Sequence, residues 1–294
     1  MASAASKPAQ DLTPLLVTLR PALHRYAARM VGSVLDGEDV VQEAIASAIG
    51  ALDRAPPEGD VAPWLFRITH NAAIDFLRKR ERVGAARDVM DEDMVSHADD
   101  AAIRVATRAA MFVFMRLPPS QRGAVILKDV LGYSNDEVAV ILGTTIAASK
   151  AALHRGRAQL RRHADAAPEV SEPKPDELAR LQTYVDHFNE RDFDAIRGML
   201  ADDVRFDLVA RLQGDRSTLE TYFTRYTEMS AWRLSIGLVD GRLAAVVTDP
   251  FGPQARAFNV IVIDWTGDRI MRLRDFHHAP YALDGAEISI LART

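Results

Sequence analysis

The chain contains no cysteine among its 294 residues, which excludes disulfides, thiolate metal sites, thiol nucleophiles and thiol redox chemistry together. It also lacks any apolar run near the roughly 18 residues that a membrane span needs. Residues 1–10 are small and polar, without the apolar stretch of a signal peptide, so a cytoplasmic chain with no membrane association is expected. Internal repeats are absent. Hydrophobic residues at 48% and charged residues at 26% exclude disordered and collagenous classes, and the length implies at least two domains with real cores.

An excess of positive charge is missing too: the net charge is −5, the wrong sign for a polyanion binder until it is summed locally. Residues 67–87 carry six basic side chains (Arg67, Arg78, Lys79, Arg80, Arg82, Arg87) against two acidic ones (Asp75, Glu81). Residues 144–164 carry five (Lys150, Arg155, Arg157, Arg161, Arg162) and no acid. Two separated basic segments are the electrostatic footprint of a chain that touches a polyanion twice. Between them, Asp88 to Asp100 holds six acids and no Lys or Arg, which predicts a solvated, extended linker.

Helical periodicity runs from Leu12 to about Arg82. Val40, Val41, Ala44, Ile45, Ala48, Ile49 and Leu52 form one buried stripe, with Glu38, Asp39, Gln42 and Glu43 grouped on the polar side. After a Pro-Pro-Glu-Gly loop, Arg67, Asn71, Asp75, Arg78 and Arg82 fall on one face of a helix from Trp64 to Arg82, with Trp64 expected in the core and Asp75 expected to pair within the helix. Further on, a helix is predicted from about Ala101 to Met115 and another over Gln121 to Val130. Ser134 with Glu137 three residues later signals a capping box, and Gly143 turns the chain into a helix from Thr145 to about Arg162. Helix, glycine turn and basic helix make a helix-turn-helix pattern.

Pro168, Pro173 and Pro175 mark a semi-rigid linker over 165–176. Beyond it the predicted elements are helices over Leu178 to Asn189 and Phe193 to Leu200, a strand over Val204 to Val209 and a helix over Ser217 to Met229. Two hairpins follow: Trp232 to Val239 with Arg242 to Asp249 about Asp240-Gly241, and Ala255 to Trp265 with Arg269 to Phe276.

The segments DGEDVVQEAIASAIGAL and PWLFRITHNAAIDFLRKRER resemble region 2 of bacterial sigma factors of the extracytoplasmic-function class, and LPPSQRGAVILKDVLGYSNDEVAVILGTTIAASKAALHRGRAQLRR resembles their region 4. The resemblance implies a multi-domain fold: two all-α sigma domains, a region 2 helical bundle over 11–83 and a region 4 helix-turn-helix over 101–164, joined by the acidic linker 84–100. It implies that Asp39, Gln42 and Glu43 dock on core RNA polymerase. Arg67, Asn71, Arg78, Lys79, Arg80 and Arg82 would bind minus-ten promoter DNA, Asn71 reading a base edge and the basic groups holding phosphates. Lys150, His154, Arg155 and Arg157 would bind the minus-35 element. The alanine-rich stretch Ile146-Ala147-Ala148-Ser149 departs from the family pattern, which has valine where Ser149 stands. In the family the linker threads the RNA exit channel, where its carboxylates would mimic RNA.

Residues 177–284 resemble the SnoaL-like members of the nuclear-transport-factor-2-like superfamily, opening with HFNERDFDAIRGMLADDVRFDL. This implies an α+β cone-shaped domain with a curved mixed sheet, which sigma factors that carry it use as a built-in regulator. Asp275 and His277 are expected on one strand face lining a pocket, whereas His277 and His278 alternate across the strand and make a poor metal chelate. Region 165–176 lacks the glycine-rich run of the best-known subset. The reading is an alternative sigma factor directing promoter recognition and initiation, with no catalytic residue, no metal and no cofactor, and a small-molecule ligand as a candidate partner of the last domain. Two others stay open: a ligand-responsive helix-turn-helix regulator, and a DNA-binding module fused to a cyclase- or isomerase-like enzyme using His277.

Overall fold

The computed structural model describes residues 13–52, 55–56, 61–87, 113–162, 173–228, 232–248, 257–284 and 286–291. Most of the acidic linker, most of the helix predicted from Ala101 and most of the proline-rich linker lie outside the described residues. The described elements form two compact units, the first made of the helices up to residue 162 and the second of the elements from residue 175 onward.

The first unit is all-helical. Helices α1 (Thr13–Val31), α2 (Val34–Ile49) and α3 (Val61–Arg87) make an N-terminal lobe. Ser33 starts α2 by accepting the Asp36 backbone N–H at 3.2 Å, which satisfies one donor of the helix's open first turn. The apolar stripe of α2 is buried as its spacing predicts, through Val40, Val41, Ala44 and Ala48. Glu38 departs from the expected polar face: it is 1% exposed and takes an ion pair from Arg20 of α1, because that turn of α2 faces its neighbour rather than solvent. Trp64 packs against the core, as expected.

A second lobe contains α4 (Pro119–Val125), a π-helical turn (Ile126–Val130), α5 (Asn135–Ile141) and α6 (Ile146–Arg162). The helix expected over Gln121 to Val130 is thus widened in its second half. The capping box is complete: Ser134 Oγ accepts the Glu137 N–H and the Glu137 carboxylate accepts the Ser134 N–H, which also holds the Glu137 carboxyl below its usual pKa. One hydrophobic core runs through both lobes, including Tyr26, Phe66, Ala124, Ile126 and Ile141.

The second unit is α+β. Helices α7 (Pro175–Glu190), α8 (Phe193–Met199) and α9 (Arg216–Glu228) pack on a seven-stranded sheet. Its strands are β1 (Leu200–Leu208), β2 (Leu212–Gly214), β3 (Arg233–Val239), β4 (Arg242–Thr248), β5 (Ala257–Thr266), β6 (Arg269–Asp275) and β7 (Ile288–Ile290). Their order is β2-β1-β6-β5-β4-β3-β7, antiparallel throughout except for the parallel pair β1–β6. Both predicted hairpins form. Asp240 and Gly241 both take positive φ (51° and 80°), the backbone of a tight turn whose twist matches its strands. The core is aromatic: Tyr184, Phe188, Phe193, Tyr222, Phe223 and Tyr226 fill the space between helices and sheet, each large ring contributing about 1.5–3 kcal/mol on burial.

Candidate nucleic-acid interface

Helix α3 carries its polar residues as a stripe because they recur at helical spacing, and Arg67, Asn71, Asp75, Arg78, Lys79 and Arg82 are all exposed. Asp75 pairs with Arg78 at 3.3 Å, the intrahelical partner expected for it. Arg80 stands apart from the stripe. Successive residues turn by about 100°, which puts it on the far side of α3 from the stripe. There it donates to the Val31 carbonyl at 2.9 Å and lies 5.9 Å over the Phe76 ring. It caps the C-terminal end of α1, a place where a cation also meets the negative end of the helix dipole. Next to Asn71, His70 is buried and bonded to Tyr26 Oη at 2.7 Å; burial lowers its pKa to about 4 and keeps the ring neutral.

On α2, Glu43 is exposed and Asp39 and Gln42 are half-buried beside it, so the three share one accessible face.

Helix α6 seats its Ser149, Ala152, Leu153 and Gly156 face inward. Ser149 meets its departure from the family pattern by donating its Oγ to the Ile146 carbonyl at 2.9 Å. Gly156 is required by packing: a Cβ there would lie 2.8 Å from Val125 Cγ2 and 3.1 Å from the Gln121 carbonyl of α4. The outer face presents Lys150, His154, Arg155 and Arg157, all exposed. Arg157 also has a partner within its own lobe. Its guanidinium forks onto Asp129 of the π-helical turn, at 2.9 and 2.5 Å, which raises its pKa and fixes the helix to the turn before it. Asp129 is a residue that sequence reasoning passes over, because it stands 28 positions away with no motif linking the two.

In the second unit Asp275 and His277 are not brought together on one face. Strand β6 ends at Asp275, so the alternation that would pair them stops two residues short of His277. Asp275 is fully buried: Oδ2 accepts from Tyr222 Oη (2.7 Å) and Tyr226 Oη (3.1 Å), and Oδ1 from Asn259 Nδ2 (2.7 Å) and the His277 N–H (2.9 Å). The His277 ring is exposed, with Trp232 and His278 as its ring neighbours at 5.1 and 4.7 Å. Burial, with the Asp275 charge second, pushes the Tyr222 and Tyr226 hydroxyls well above their usual pKa. An acid so fully bonded has no spare lone pair directed at a substrate. Among the described residues no group of three or more His, Asp or Glu is placed to hold a metal ion, and no helix is long and apolar enough to cross a membrane.

The two-lobed first unit coincides with two matches in the same order. Residues 15–83 match Sigma-70 region 2, and residues 109–160 match Sigma-70, region 4. The chain is 33% identical over 147 residues to the ECF RNA polymerase sigma factor SigE of Mycolicibacterium smegmatis, covering 47% of this chain and 56% of that protein. It is 26% identical to the ECF RNA polymerase sigma factor SigG of Mycobacterium tuberculosis, covering 87% of this chain and 78% of SigG. It is 32% identical over 142 residues to the RNA polymerase sigma factor CarQ of Myxococcus xanthus, covering 48% of this chain and 82% of CarQ. With helical lobes in region 2 and region 4 order and an α+β unit behind them, the chain belongs to the extracytoplasmic-function sigma factors.

Proposed function

We propose that this sigma factor binds core RNA polymerase through Asp39, Gln42 and Glu43 and carries it to promoters whose minus-ten element is read by Asn71 within the Arg67, Arg78, Lys79, Arg82 stripe. The minus-35 element is met by Lys150, His154 and Arg155. The observation that carries the reading is the pairing of two exposed basic helix faces, α3 and α6, on separate lobes matching regions 2 and 4. Asn71 stands at the centre of its stripe with an amide that donates and accepts, flanked by cations suited to phosphates. Arg80 and Arg157 are left out of the contact set because their guanidiniums already serve the Val31 carbonyl and the Asp129 carboxylate.

In this reading region 2 spans 11–83 and region 4 spans 101–164, with 84–100 and 165–176 as linkers. Residues 177–284 act as a regulator, without chemistry of their own, in a cytoplasmic protein. The bonding of Asp275 supports that last point, since its lone pairs serve the core. The test is to mix purified protein with sigma-free core polymerase and follow run-off transcription on its own upstream DNA. A complex that initiates specifically is expected; no complex, with or without residues 170–294, overturns the reading. Removing 170–294 is expected to change transcript yield from a fixed promoter, and an unchanged yield would strip the last domain of its regulatory role.

A further inference from the structure

Strand β3 and helix α7 enclose a groove on the second unit. Strand β7 pairs with β3 only over Gly237 to Val239, and a last bond runs from the Leu291 N–H to the Ile236 carbonyl at 2.8 Å. Strand β3 extends beyond that bond to Arg233. Leu178, Val185 and Asn189 stand at helical spacing on α7 and form the facing wall. With Ile236, Ile290 and Leu291 they line a groove of about 720 Å³, the size of a small-molecule site. Tyr184 and Phe188, on the neighbouring stripe of α7, fill the aromatic core behind it. Ile290 is 42% exposed at the rim, so the groove opens to solvent.

The polar groups around the groove narrow down what fits it. A bare strand end invites another peptide strand, but this stretch of β3 is already sealed. Asn189 Nδ2 donates to the Leu234 carbonyl and the Leu234 N–H donates to Asn189 Oδ1, both at 2.9 Å. The carboxamide thereby takes the two bonds that a neighbouring strand would make. Gln182, the other amide on this face, donates to Asp186 at 2.9 Å. The groove therefore offers mainly apolar contact, with charge at one end.

That charge is a pair of arginines on one oxygen. Arg191 Nη2 donates to the Trp232 carbonyl at 2.7 Å, and Arg233 Nη1 donates to the same carbonyl at 3.1 Å. Arg233 lines the groove next to Leu234, and Arg191 follows α7 directly as its C-cap. Two guanidiniums held by one oxygen repel each other. Desolvation, with the Arg233 charge second, keeps the Arg191 guanidinium below its usual pKa. An anion set between them turns the repulsion into charge-assisted contacts, and the guanidinium fork matches a carboxylate.

We propose that this groove binds a single-chain fatty carboxylate, with the alkyl chain along Leu178, Val185, Ile236 and Leu291 and the carboxylate on Arg191 and Arg233. The assignment gives a chemical class to the small-molecule partner expected of the last domain. It rests on residues of the second unit alone, so it stands or falls apart from the sigma reading.

Calorimetric titration of the full-length chain with sodium laurate, kept below its micelle concentration, tests it. One bound laurate per chain is expected. Acetate, which has the head alone, and dodecylammonium, which has the chain with the opposite charge, are expected to bind more weakly by about tenfold or more. Arg233→Gln removes one cation and is expected to weaken laurate about tenfold, the loss of one charge-assisted contact. Ile290→Glu sets a carboxylate at the rim and is expected to weaken it further. Both positions are exposed, and a melting transition matching the parent's separates loss of affinity from loss of fold. No binding of laurate, binding that both folded variants leave unchanged, or equal binding of dodecylammonium overturns the proposal. Tighter binding of dodecyl phosphate than of laurate overturns the carboxylate head in favour of a phosphate.

Discussion

Each unit buries a charge that has no ion-pair partner among the described residues, and the two do it in opposite ways. Arg122 is a cation held by backbone carbonyls, three from its own lobe and one from the other. Asp275 is an anion held by side-chain donors, Tyr222, Tyr226 and Asn259, with one backbone N–H, all from elements of the same unit. Desolvating an ion costs several kcal/mol unless its bonding capacity is used up, and both solutions use it up. The difference lies in what the bonds connect. Those to Asp275 close a single core, whereas one of those to Arg122 links one lobe to the other. A buried charge thus closes one core in one unit and ties two lobes together in the other.

The sharpest way to break the contrast is to remove the anion. Asp275→Ala leaves two hydroxyls and an amide buried without an acceptor, and is expected to destabilise the second unit by about 3–5 kcal/mol while amide-exchange protection of the first unit is kept. Arg122→Met keeps the aliphatic stem and strands the carbonyls; a loss of about 3 kcal/mol is expected, confined to the first unit in the same exchange measurement. A loss shared by both units in either variant would erase the distinction.

Acid separates the units more gently. His24 and His70 are buried in the first unit with pKa lowered to about 4, chiefly by burial, against an ordinary value near 6.5. The unfolded chain binds the extra protons, so stability present above pH 6.5 is lost as pH falls toward 4. Each histidine is expected to cost the first unit about 2 kcal/mol on going from pH 7 to 5. In the second unit the one histidine with a lowered pKa among the described residues, His278, lies nearer the surface, and its contribution is smaller. Urea titrations followed by exchange at the two pH values measure it. The smallest expected effect is on DNA: Asp129→Asn frees Arg157 and is expected to steepen the salt dependence of holoenzyme binding by about one unit of slope, whereas Arg155→Ala flattens it by about one.

What was legible in the sequence was whatever local chemistry fixes. The capping box at Ser134 and Glu137, the Asp240-Gly241 hairpin and the α3 stripe depend on neighbours within a few residues, and each forms as read. The three-residue strands β2 and β7 were invisible, since they are too short for alternation to register and exist only because a sheet edge accepts them. Glu38, Arg80 and Arg157 have partners that no local signal shows: each is polar and meets a group 18, 49 or 28 positions away. Asp275 and His277 do not share the face expected of them, because a strand that ends two residues before His277 turns it into two environments. The buried Arg122 had no sequence signal at all.

The parallel pairing of β1 with β6 has a consequence for synthesis. Leu208 lies opposite Asp275, so the first strand of the sheet waits for a partner 67 positions downstream, and β7 comes later still. Chains grow at about 5–20 residues per second, and domains generally fold as they emerge. The first unit, finished by residue 162, therefore leads the completed sheet by on the order of ten seconds on each ribosome. During that interval every newly made molecule is a two-lobed sigma factor whose last domain does not yet exist.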